Sequence, residues 1–341
     1  MSSNPDSLDQ AKQLELISAF EFTQLIYVVA KLRIADLLKD GKKASADELA
    51  SKCGAHPRTL YRVMRYLASL GIFSQDGDSI EKFGSTTTSD LLRSDIPDSY
   101  WPWAILNGEE FYHAAGDMLH AVLTGETPFD HVYQTSFFDY LSSHPNTSEI
   151  FNRAMNTYAT NWDSLPSSFD FSKFKKIADV GGGQGALLVT VLRANPSMRG
   201  ILLDLPHVVR TAVPYLESHG VLDRCDIVLG DALQSVPEGA DLYVLASVLH
   251  IFQDDKAKLI LNNCRRAIRG QDAKLMIIEG VVPEGSSPSP SKNRDITMLY
   301  LVGGAERTER EWHSILEESG FKLEEIRETG FQFDLILANP A

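Results

Sequence analysis

From residue 174 onward, short apolar segments alternate with segments that have helical spacing of apolar residues. The apolar segments are rich in β-branched residues: "KKIADV", "GILLDL", "CDIVLGD", "DLYVLASVLH" and "KLMIIEGVV". Between them lie "ALLVTVLRANP", "VVRTAVPYLESHG" and "DKAKLILNNCRRAI". Strands that alternate with helices form parallel sheets, and nearly continuous apolar strands are covered on both faces. The sequence therefore predicts a doubly wound α/β domain, ended by two antiparallel strands in "KLEEIRET" and "FDLILAN".

A glycine-rich turn follows the first predicted strand. The motif "IADVGGGQG", 177–185, lies where strand meets helix, at the edge where such sheets bind ligands. Asp204 ends the second strand, 19 residues after Gly185, and Asp231 ends the third. Glycine admits close approach of a ligand, and a carboxylate at the end of the second strand accepts ribose hydroxyls. These residues predict a nucleoside ligand.

Two such ligands compete. A nicotinamide dinucleotide is typically bound by G-x-G-x-x-G, with its pyrophosphate on the helix N-terminus. This chain has D-x-G-x-G-x-G from Asp179 to Gly185, and "ALLVTVL" offers no further glycine. The pattern favours a nucleoside without a pyrophosphate, such as S-adenosylmethionine.

The fourth apolar segment ends at a histidine, in "LYVLASVLHIFQDD", 242–255. His250 at the rim of a buried strand is either a satisfied core residue or a base. Imidazole, with a pKa near ~6.5, is suited to proton abstraction at neutral pH. These residues alone leave both interpretations open.

The first hundred residues predict a helical module. Residues 8–40 have the spacing of one helix with two faces, apolar enough to pack on a second chain. "SADE" is a capping box from Ser45 to Glu48, and Pro57 opens the next helix. "FSQDGDSIEKFGST" follows as a hairpin. Together these elements predict a winged helix.

A winged helix has two interpretations. One is DNA binding through Arg58, Arg62 and Arg65 on the second helix. The other is a dimerisation module. Residues 1–100 contain 12 Lys and Arg against 14 Asp and Glu, a net charge of −2. Because DNA binding needs a basic surface, this balance favours dimerisation.

The length of the chain predicts several domains, and its net charge argues against nucleic-acid and membrane partners. The 341 residues predict more than one domain. We expect the winged helix in 1–100 and the α/β domain in 171–341. Between them, 101–170 is predicted as an aromatic-rich helical connector that contributes to the pocket for the molecule that reacts with the nucleoside ligand, the acceptor. A net charge of −14 argues against nucleic-acid and anionic-membrane binding. No apolar run reaches the ~18 residues of a membrane span, and the start lacks the pattern of a signal peptide. Three cysteines outside C-x-x-C spacing indicate neither disulfides nor zinc, so we expect a cytoplasmic protein.

These motifs resemble one known family over nearly the whole chain. "DVGGGQGALL", "RGILLDLPHVV", "IIEGVVPE" and "GGAERTEREW" are similar to plant-type small-molecule O-methyltransferases, which act on caffeic acid or hydroxyindoles. "GEEFYHAAGDMLHAVLTGETPF" resembles the bacterial phenazine O-methyltransferases of natural-product, or antibiotic, biosynthesis. The resemblance implies a homodimer with an N-terminal all-α winged-helix dimerisation domain. It also implies a Rossmann-like class I methyltransferase domain with a seven-stranded, mostly parallel sheet.

The resemblance also implies roles for individual residues. S-adenosylmethionine would be bound, without a metal, by Gly181, Gly182, Gly183, Asp204, Gly230, Asp231, Ala232, Ala246, Ser247 and Phe252. His250 would be the base, with Glu279 and Glu306 orienting it. Met155, Met298, Trp162 and His113 would contact an aromatic acceptor, of which a hydroxyphenazine is one example.

Three positions depart from the family pattern, and three other functions remain open. Ile251 replaces a polar neighbour of the base, Ala232 replaces a frequent methionine, and Ala246 replaces a common lysine. The main alternative is a non-methylating enzyme, a hydroxylase or pericyclase, on the same scaffold. A ligand-sensing DNA-binding regulator is a second. A magnesium-dependent catechol methyltransferase is a third, with Asp254, Asp255 and Asn262–Asn263 as ligands.

Overall fold

The computed structural model describes residues 16–76, 82–270, 272–329 and 332–341, which form two compact units. One unit contains the described residues up to Gly116 together with Phe138–Thr157. The other contains Asp117–Phe137 together with Tyr158–Ala341. The segment predicted as a connector, 101–170, is therefore divided between the two units.

Short and medium helices make up most of the first half of the chain. In chain order they are α1 (Ala19–Lys31), α2 (Ile34–Leu37), α3 (Ala46–Cys53), α4 (Pro57–Ser69), α5 (Thr87–Asp90), α6 (Trp101–Gly108), α7 (Glu110–Gly116), α8 (Met118–Thr124), α9 (Pro128–Tyr133), α10 (Phe137–Ser143), α11 (Pro145–Ala159) and α12 (Leu165–Ser168). The later helices are α13 (Ala186–Ala194), α14 (Pro206–Ser218), α15 (Asp254–Ala267), α16 (Pro290–Leu301) and α17 (Glu309–Glu318).

The strands are shorter and lie mainly in the second half. They are β1 (Lys43–Ser45), β2 (Ser74–Gln75), β3 (Lys82–Gly84), β4 (Lys176–Val180), β5 (Arg199–Asp204), β6 (Cys225–Leu229), β7 (Leu242–Ala246), β8 (Lys274–Glu279), β9 (Val281–Val282), β10 (Arg307–Thr308), β11 (Phe321–Arg327) and β12 (Asp334–Pro340).

The N-terminal unit contains the predicted winged helix. Ser45 caps α3 by accepting from the backbone N–H of Glu48, whose carboxylate accepts from the N–H of Ser45 at 2.7 Å. Helix α4 begins at Pro57, as expected, and buries Leu60, Met64 and Leu67. Strands β2 and β3 form the predicted antiparallel hairpin, whose turn after Asp76 lies outside the described residues.

The structure corrects two details of this prediction. The unit is not all-helical, because β1 pairs with β3 in a small sheet of order β1-β3-β2. Residues 8–40 were predicted as one helix, but the chain breaks after α1, where Arg33 has φ +54°. The break lets α2 bury Ile34 and Ala35 in the core of this unit. The predicted residues 8–15 lie outside the described part of the chain.

The C-terminal unit is built around one large sheet. Among the described residues the strand order is β11-β12-β8-β7-β4-β5-β6, with parallel pairing from β8 to β6 and antiparallel pairing of β12 with both of its neighbours. The predicted terminal antiparallel strands are confirmed, with β11 at the edge. Strand order reverses between β4 and β7, and ligands bind at such a switch point.

Helices cover both faces of this sheet. Tyr243 and Leu245 of β7 pack with Ile260 of α15 on one face, whereas Val244 packs with Leu188 of α13 on the other. All five side chains are nearly inaccessible, which explains why the sequence of β7 is continuously apolar. Burying one such side chain contributes about 1.5–3 kcal/mol. This core fixes the carboxyl ends of β4, β5, β7 and β8 along one edge.

Across the described residues, no helix combines the length and the hydropathy that a bilayer crossing requires.

Candidate functional site

The glycine loop follows β4 at the switch point. Gly181 has φ +75°, and a Cβ there would lie 2.8 Å from the Val248 side chain. A Cβ on Gly182 would lie 2.4 Å from a carboxylate oxygen of Asp179 and 2.6 Å from Leu202. The loop therefore needs glycine for both backbone conformation and space, and it presents bare backbone at the sheet edge.

The two predicted nucleoside-binding acids lie where the neighbouring strands end, Asp204 within β5 and Asp231 two residues after β6. Asp204, the last residue of β5, accepts from the backbone N–H of Gly183 and from that of Leu205, each at 2.7 Å. Asp231 accepts from the N–H of Leu233 at 2.9 Å. Gly230 donates to the carbonyl of Asp204 at 3.1 Å, which ties the ends of β5 and β6 together. The acids and the glycine loop thus form one connected edge.

Asp179 lies beneath this loop and has an unusual environment. Its side chain is almost inaccessible, and neither carboxylate oxygen has a hydrogen-bond partner among the described residues. Burial, together with the nearby charge of Asp204, raises the pKa of Asp179 to about 7. The negative form of this group is therefore destabilised in the folded protein.

The histidine is carried by a single 3₁₀ turn after β7, Leu249–Ile251. Ser247 starts the change of direction with φ +55°, a conformation that non-glycine residues seldom adopt. Glu279, at the end of β8, accepts from the backbone N–H groups of Val248, Leu249 and His250 at 3.0, 2.6 and 3.1 Å. Glu279, which the resemblance implied as an acid that orients the histidine, therefore anchors the backbone of the turn.

Glu306 is the acid that forms a hydrogen bond with the imidazole ring. Its Oε1 lies 3.0 Å from His250 Nδ1, and both side chains are buried. An ionised carboxylate only accepts, so Nδ1–H donates and Nε2 keeps its lone pair. Among the described residues Nε2 has no hydrogen-bond partner. Its lone pair is therefore available to accept a hydrogen bond or a proton from a bound molecule. Arg294 of α16 also donates, through Nε, to Glu306 Oε1.

Burial and charge act against each other in this cluster. Burial alone would lower the pKa of His250, but Glu279 and Glu306 outweigh it and raise that pKa above 6.5. Burial likewise opposes ionisation of Glu306, but His250 and Arg294 hold its pKa below 4.5. The pKa of Glu279 is raised by burial and by the charge of Glu306. The imidazole is therefore a stronger base than in water, and Glu306 is its counter-ion.

A second arginine, Arg307, also holds the turn. Arg307 is buried and donates to the carbonyls of Leu249 and Phe252 at 3.3 and 3.0 Å, and to Asp254 at 2.8 Å. Its guanidinium lies 5.3 Å from the centre of the Trp312 ring. Asp254, a predicted magnesium ligand in one alternative, is thus engaged with an arginine.

Two groups of three His, Cys, Asp or Glu have metal-ligand spacing within the described residues. They are Asp117–His120–His131 and His250–Glu279–Glu306, and neither contains Asp254 or Asp255. Asn263 donates to the carbonyl of Ala232 at 2.7 Å, so it holds the loop after β6. The geometry does not gather the ligand set of the magnesium alternative.

The remaining predicted site residues lie in different places. Ala246 is the last residue of β7, and Phe252 follows the 3₁₀ turn that carries His250 and packs against the sheet core. Met298 lies on α16 and Trp162 stacks on Phe333 at 6.2 Å, both in the C-terminal unit. Met155 on α11 and the exposed His113 on α7 belong to the N-terminal unit.

Sequence reasoning missed three residues that support the histidine: Arg294, Arg307 and Asp295, which accepts from the backbone N–H of Glu306 at 2.9 Å. Arg307 lies inside the quoted "GGAERTEREW", but nothing in that motif shows that its side chain turns inward. Arg294 and Asp295 follow a loop of low complexity and have no local signal.

Comparison with known families identifies the family of this chain. The model of the O-methyltransferase domain matches residues 112–322, and that of the O-methyltransferase dimerisation domain matches residues 14–95. The chain belongs to the O-methyltransferase family. This confirms the family predicted from the sequence motifs, and the matched dimerisation domain supports a homodimer.

Individual relatives of the methyltransferase align over nearly its full length. The phenazine O-methyltransferase of Lysobacter antibioticus is 43% identical over 328 residues, 96% of this chain and 95% of the relative. The phenazine-1-carboxylate N-methyltransferase of Pseudomonas aeruginosa is 32% identical, over 98% of this chain and 99% of the relative.

A solved structure shows the same fold with ligands. It is an O-methyltransferase from neocarzinostatin biosynthesis, in complex with S-adenosylmethionine and 2-hydroxy-5-methyl naphthoic acid. It is 28% identical, with a TM-score of 0.83, over 94% of this chain and 96% of that one. The protein is therefore an S-adenosylmethionine-dependent methyltransferase, and the predicted cofactor is confirmed.

Proposed function

We propose that this enzyme transfers the methyl group of S-adenosylmethionine to a hydroxyl of an aromatic natural product, with His250 as general base. One observation carries the proposal: Glu306 engages Nδ1, so the lone pair of Nε2 is available at the ligand-binding edge. The turn that holds His250 also packs on the glycine loop, because Val248 fills the space beside Gly181. Base and cofactor loop are thus joined directly.

The residues at the edge suit the cofactor. The space beside Gly181 and Gly182 admits no Cβ, and Asp204 presents a carboxylate next to them. In this proposal Gly181, Gly182 and Gly183 receive the methionine part, Asp204 the ribose, and Asp231, Ala232 and Phe252 the adenine; Gly230, Ala246 and Ser247 line the same site. The cofactor supplies an electrophilic methyl group on a sulfonium.

The base makes the hydroxyl of the acceptor a better nucleophile. A neutral phenol, with a pKa near ~10, attacks poorly. His250 Nε2 takes the phenolic proton as the oxygen–carbon bond forms and the carbon–sulfur bond breaks, and Glu306 stabilises the resulting imidazolium. Such base catalysis contributes about 10²–10⁴-fold. Alignment of the reactants contributes the rest.

The acceptor we propose is a hydroxyphenazine. Its support is the 43% identity to the Lysobacter phenazine O-methyltransferase over nearly the whole chain. We propose Met298 and Trp162, both in the C-terminal unit, as contacts for a flat ring system, and the roles predicted for Met155 and His113 stay predictions. We also propose that the enzyme works in the cytoplasm, since Cys53, Cys225 and Cys264 are free thiols.

The test replaces the base. With a hydroxyphenazine and methyl-labelled S-adenosylmethionine, we expect His250→Ala to lose about 10²–10⁴-fold in kcat. Titration calorimetry should show unchanged affinity for S-adenosylhomocysteine. Because Glu279 and Glu306 raise the pKa of His250, wild-type kcat/KM should rise with pH through a value above 6.5. Near-normal turnover of His250→Ala would refute the role of base, and a product without the labelled methyl would favour the hydroxylase or pericyclase.

A second candidate is methyl transfer to nitrogen. It is favoured by the alignment with the Pseudomonas N-methyltransferase over 98% of this chain. A ring nitrogen has a free lone pair and needs no base. Turnover of phenazine-1-carboxylate that survives in His250→Ala would therefore identify this second reaction.

A further inference from the structure

Arg294 shares one carboxylate oxygen with the catalytic histidine. Its Nε and His250 Nδ1 both donate to Glu306 Oε1, and the side chain of Glu306 is fully buried. Arg294 itself is only 12% exposed. A guanidinium held at this depth has a fixed position, and so has the oxygen to which it donates.

The surroundings of Arg294 are shaped for a guanidinium. The group lies over the ring of Phe333, 4.7 Å from its centre. A Cβ on Gly280 would lie 1.8 Å from one of its terminal nitrogens, so this glycine, between Glu279 and β9, leaves the space that Arg294 fills. Its aromatic neighbour Phe333 in turn stacks on Trp162.

The charges around His250 come from β8, α16 and the start of β10. Glu279 ends β8, Glu306 precedes β10, Arg294 lies on α16, and Arg307 on β10 acts on Glu279. Asp295 and Asp334 also face Glu306. Without Arg294, the side chains that act directly on His250 are both acidic. A buried cluster of that charge takes up a proton more readily.

We propose that Arg294 is a positioning residue for the base: it fixes the Glu306 carboxylate against Nδ1 and places a positive charge beside a cluster that is otherwise acidic. This inference rests on the proposed function of His250. Arg294 does not touch the reacting atoms; it acts through Glu306. The charge and the position of the guanidinium make separable contributions.

Variants of Arg294 separate these contributions. In Arg294→Met the pair of His250 and Glu306 loses its neighbouring cation. The pH at which this pair releases its proton should therefore be about 1–3 units higher than in wild type, whichever of the two residues holds the proton. The acid limb of kcat/KM then moves to higher pH, and turnover is regained under alkaline conditions. Arg294→Lys keeps the charge but loses the Nε contact, so its limb should stay near wild type while kcat falls.

Gly280→Ala gives an independent perturbation. Its methyl group displaces the guanidinium without removing it, and Gly280 has no positive φ to oppose alanine. We expect a smaller alkaline shift than in Arg294→Met. Arg310→Met is the matched control, because Arg310 is 82% exposed and pairs only loosely with Glu284, at 3.4 Å. Its pH profile should be unchanged.

The decisive measurement does not need an acceptor. Carbon-13 NMR of labelled histidine follows the titration of His250, whose signal is assigned by its loss in His250→Gln. An alkaline shift of this titration in Arg294→Met, absent in Arg310→Met, supports the inference. Coincident titrations in wild type and Arg294→Met overturn it; if Arg294→Met does not fold, the same comparison is made with Gly280→Ala. If His250→Ala is active while the NMR shift is present, the proposed function fails and the electrostatic role of Arg294 stands.

Discussion

At the scale of single residues, the two acids beside His250 have different tasks. Glu306 bonds the ring, whereas Glu279 accepts three backbone N–H groups with one oxygen and determines where the turn lies. Ile251, which replaces a polar neighbour in the family pattern, is explained by this division. The backbone of the turn is held by Glu279 and Arg307, so residue 251 is not needed to hold it.

Glu279→Gln should shift the pH profile in the direction opposite to Arg294→Met. Glutamine can still accept from the turn, but the negative charge that raises the pKa of His250 is lost. The acid limb of kcat/KM should therefore move to lower pH, and kcat at its plateau should fall because the imidazolium is less stabilised. Steady-state kinetics across pH measure both effects.

Glu279→Ala separates charge from anchoring. It leaves three buried donors unsatisfied, each costing about 1–3 kcal/mol, so the unfolding temperature should fall in Glu279→Ala but stay close to wild type in Glu279→Gln. Equal destabilisation of the two variants would contradict the anchoring role.

At the scale of elements, the site depends on how β4 meets the glycine loop. Gly182 lies so close to Asp179 that the loop covers this carboxylate completely. An acid without hydrogen-bond partners in the described structure is thus buried beneath the loop. The folded state is therefore less stable around Asp179 than it would be with an apolar residue at this position.

Asp179→Asn should reduce the pH dependence of stability. A carboxyl whose pKa is raised from 3.8 to about 7 stabilises the fold at low pH, and this contribution is lost as pH rises from 3.8 through about 7. Asparagine does not ionise, so at pH 8 the variant without ligand should unfold several degrees higher than wild type, with a much smaller gain at pH 4. Differential scanning fluorimetry measures the difference. The exposed Asp272→Asn is the control, and equal behaviour of both variants would contradict burial as the cause.

At the scale of the whole molecule, apolar residues just before α1 and in its first turn remain exposed in a single chain. Leu16, Ile17 and Phe20 are 71, 73 and 53% exposed and lie in the matched dimerisation domain. A cluster of this kind on one chain indicates an interface. One face of α1 packs in its own unit, as predicted, and the contact of the exposed residues with a partner chain stays a prediction.

Phe20→Asp should weaken the dimer. A charge placed in an apolar interface loses hydration without gaining a partner, so the variant should show monomer at concentrations where wild type is dimeric. Sedimentation velocity measures the distribution. Val213→Asp introduces the same charge at an exposed apolar position of α14 and should leave the dimer intact. A dimeric Phe20→Asp would exclude this surface.

The α/β domain was predictable because its pattern is local. A buried parallel strand reads as a continuous apolar run, and the turn after β4 requires glycine, so both appear in the sequence. The break in the first helix was not predictable in this way. Arg33 adopts φ +54° because the chain turns there to bury Ile34 and Ala35 in the core of the N-terminal unit. No neighbouring glycine or proline marks this position in the sequence.

The sequence by itself determined the sheet, the glycine loop and the presence of a histidine at the edge of the sheet. Only the tertiary structure decided how that histidine is held. Glu279, Arg294 and Glu306 come from three elements separated along the chain, and their contacts depend on packing across the sheet. An acid that bonds a ring and an acid that bonds a backbone look the same in a sequence, because the difference between them is a matter of direction and distance in space.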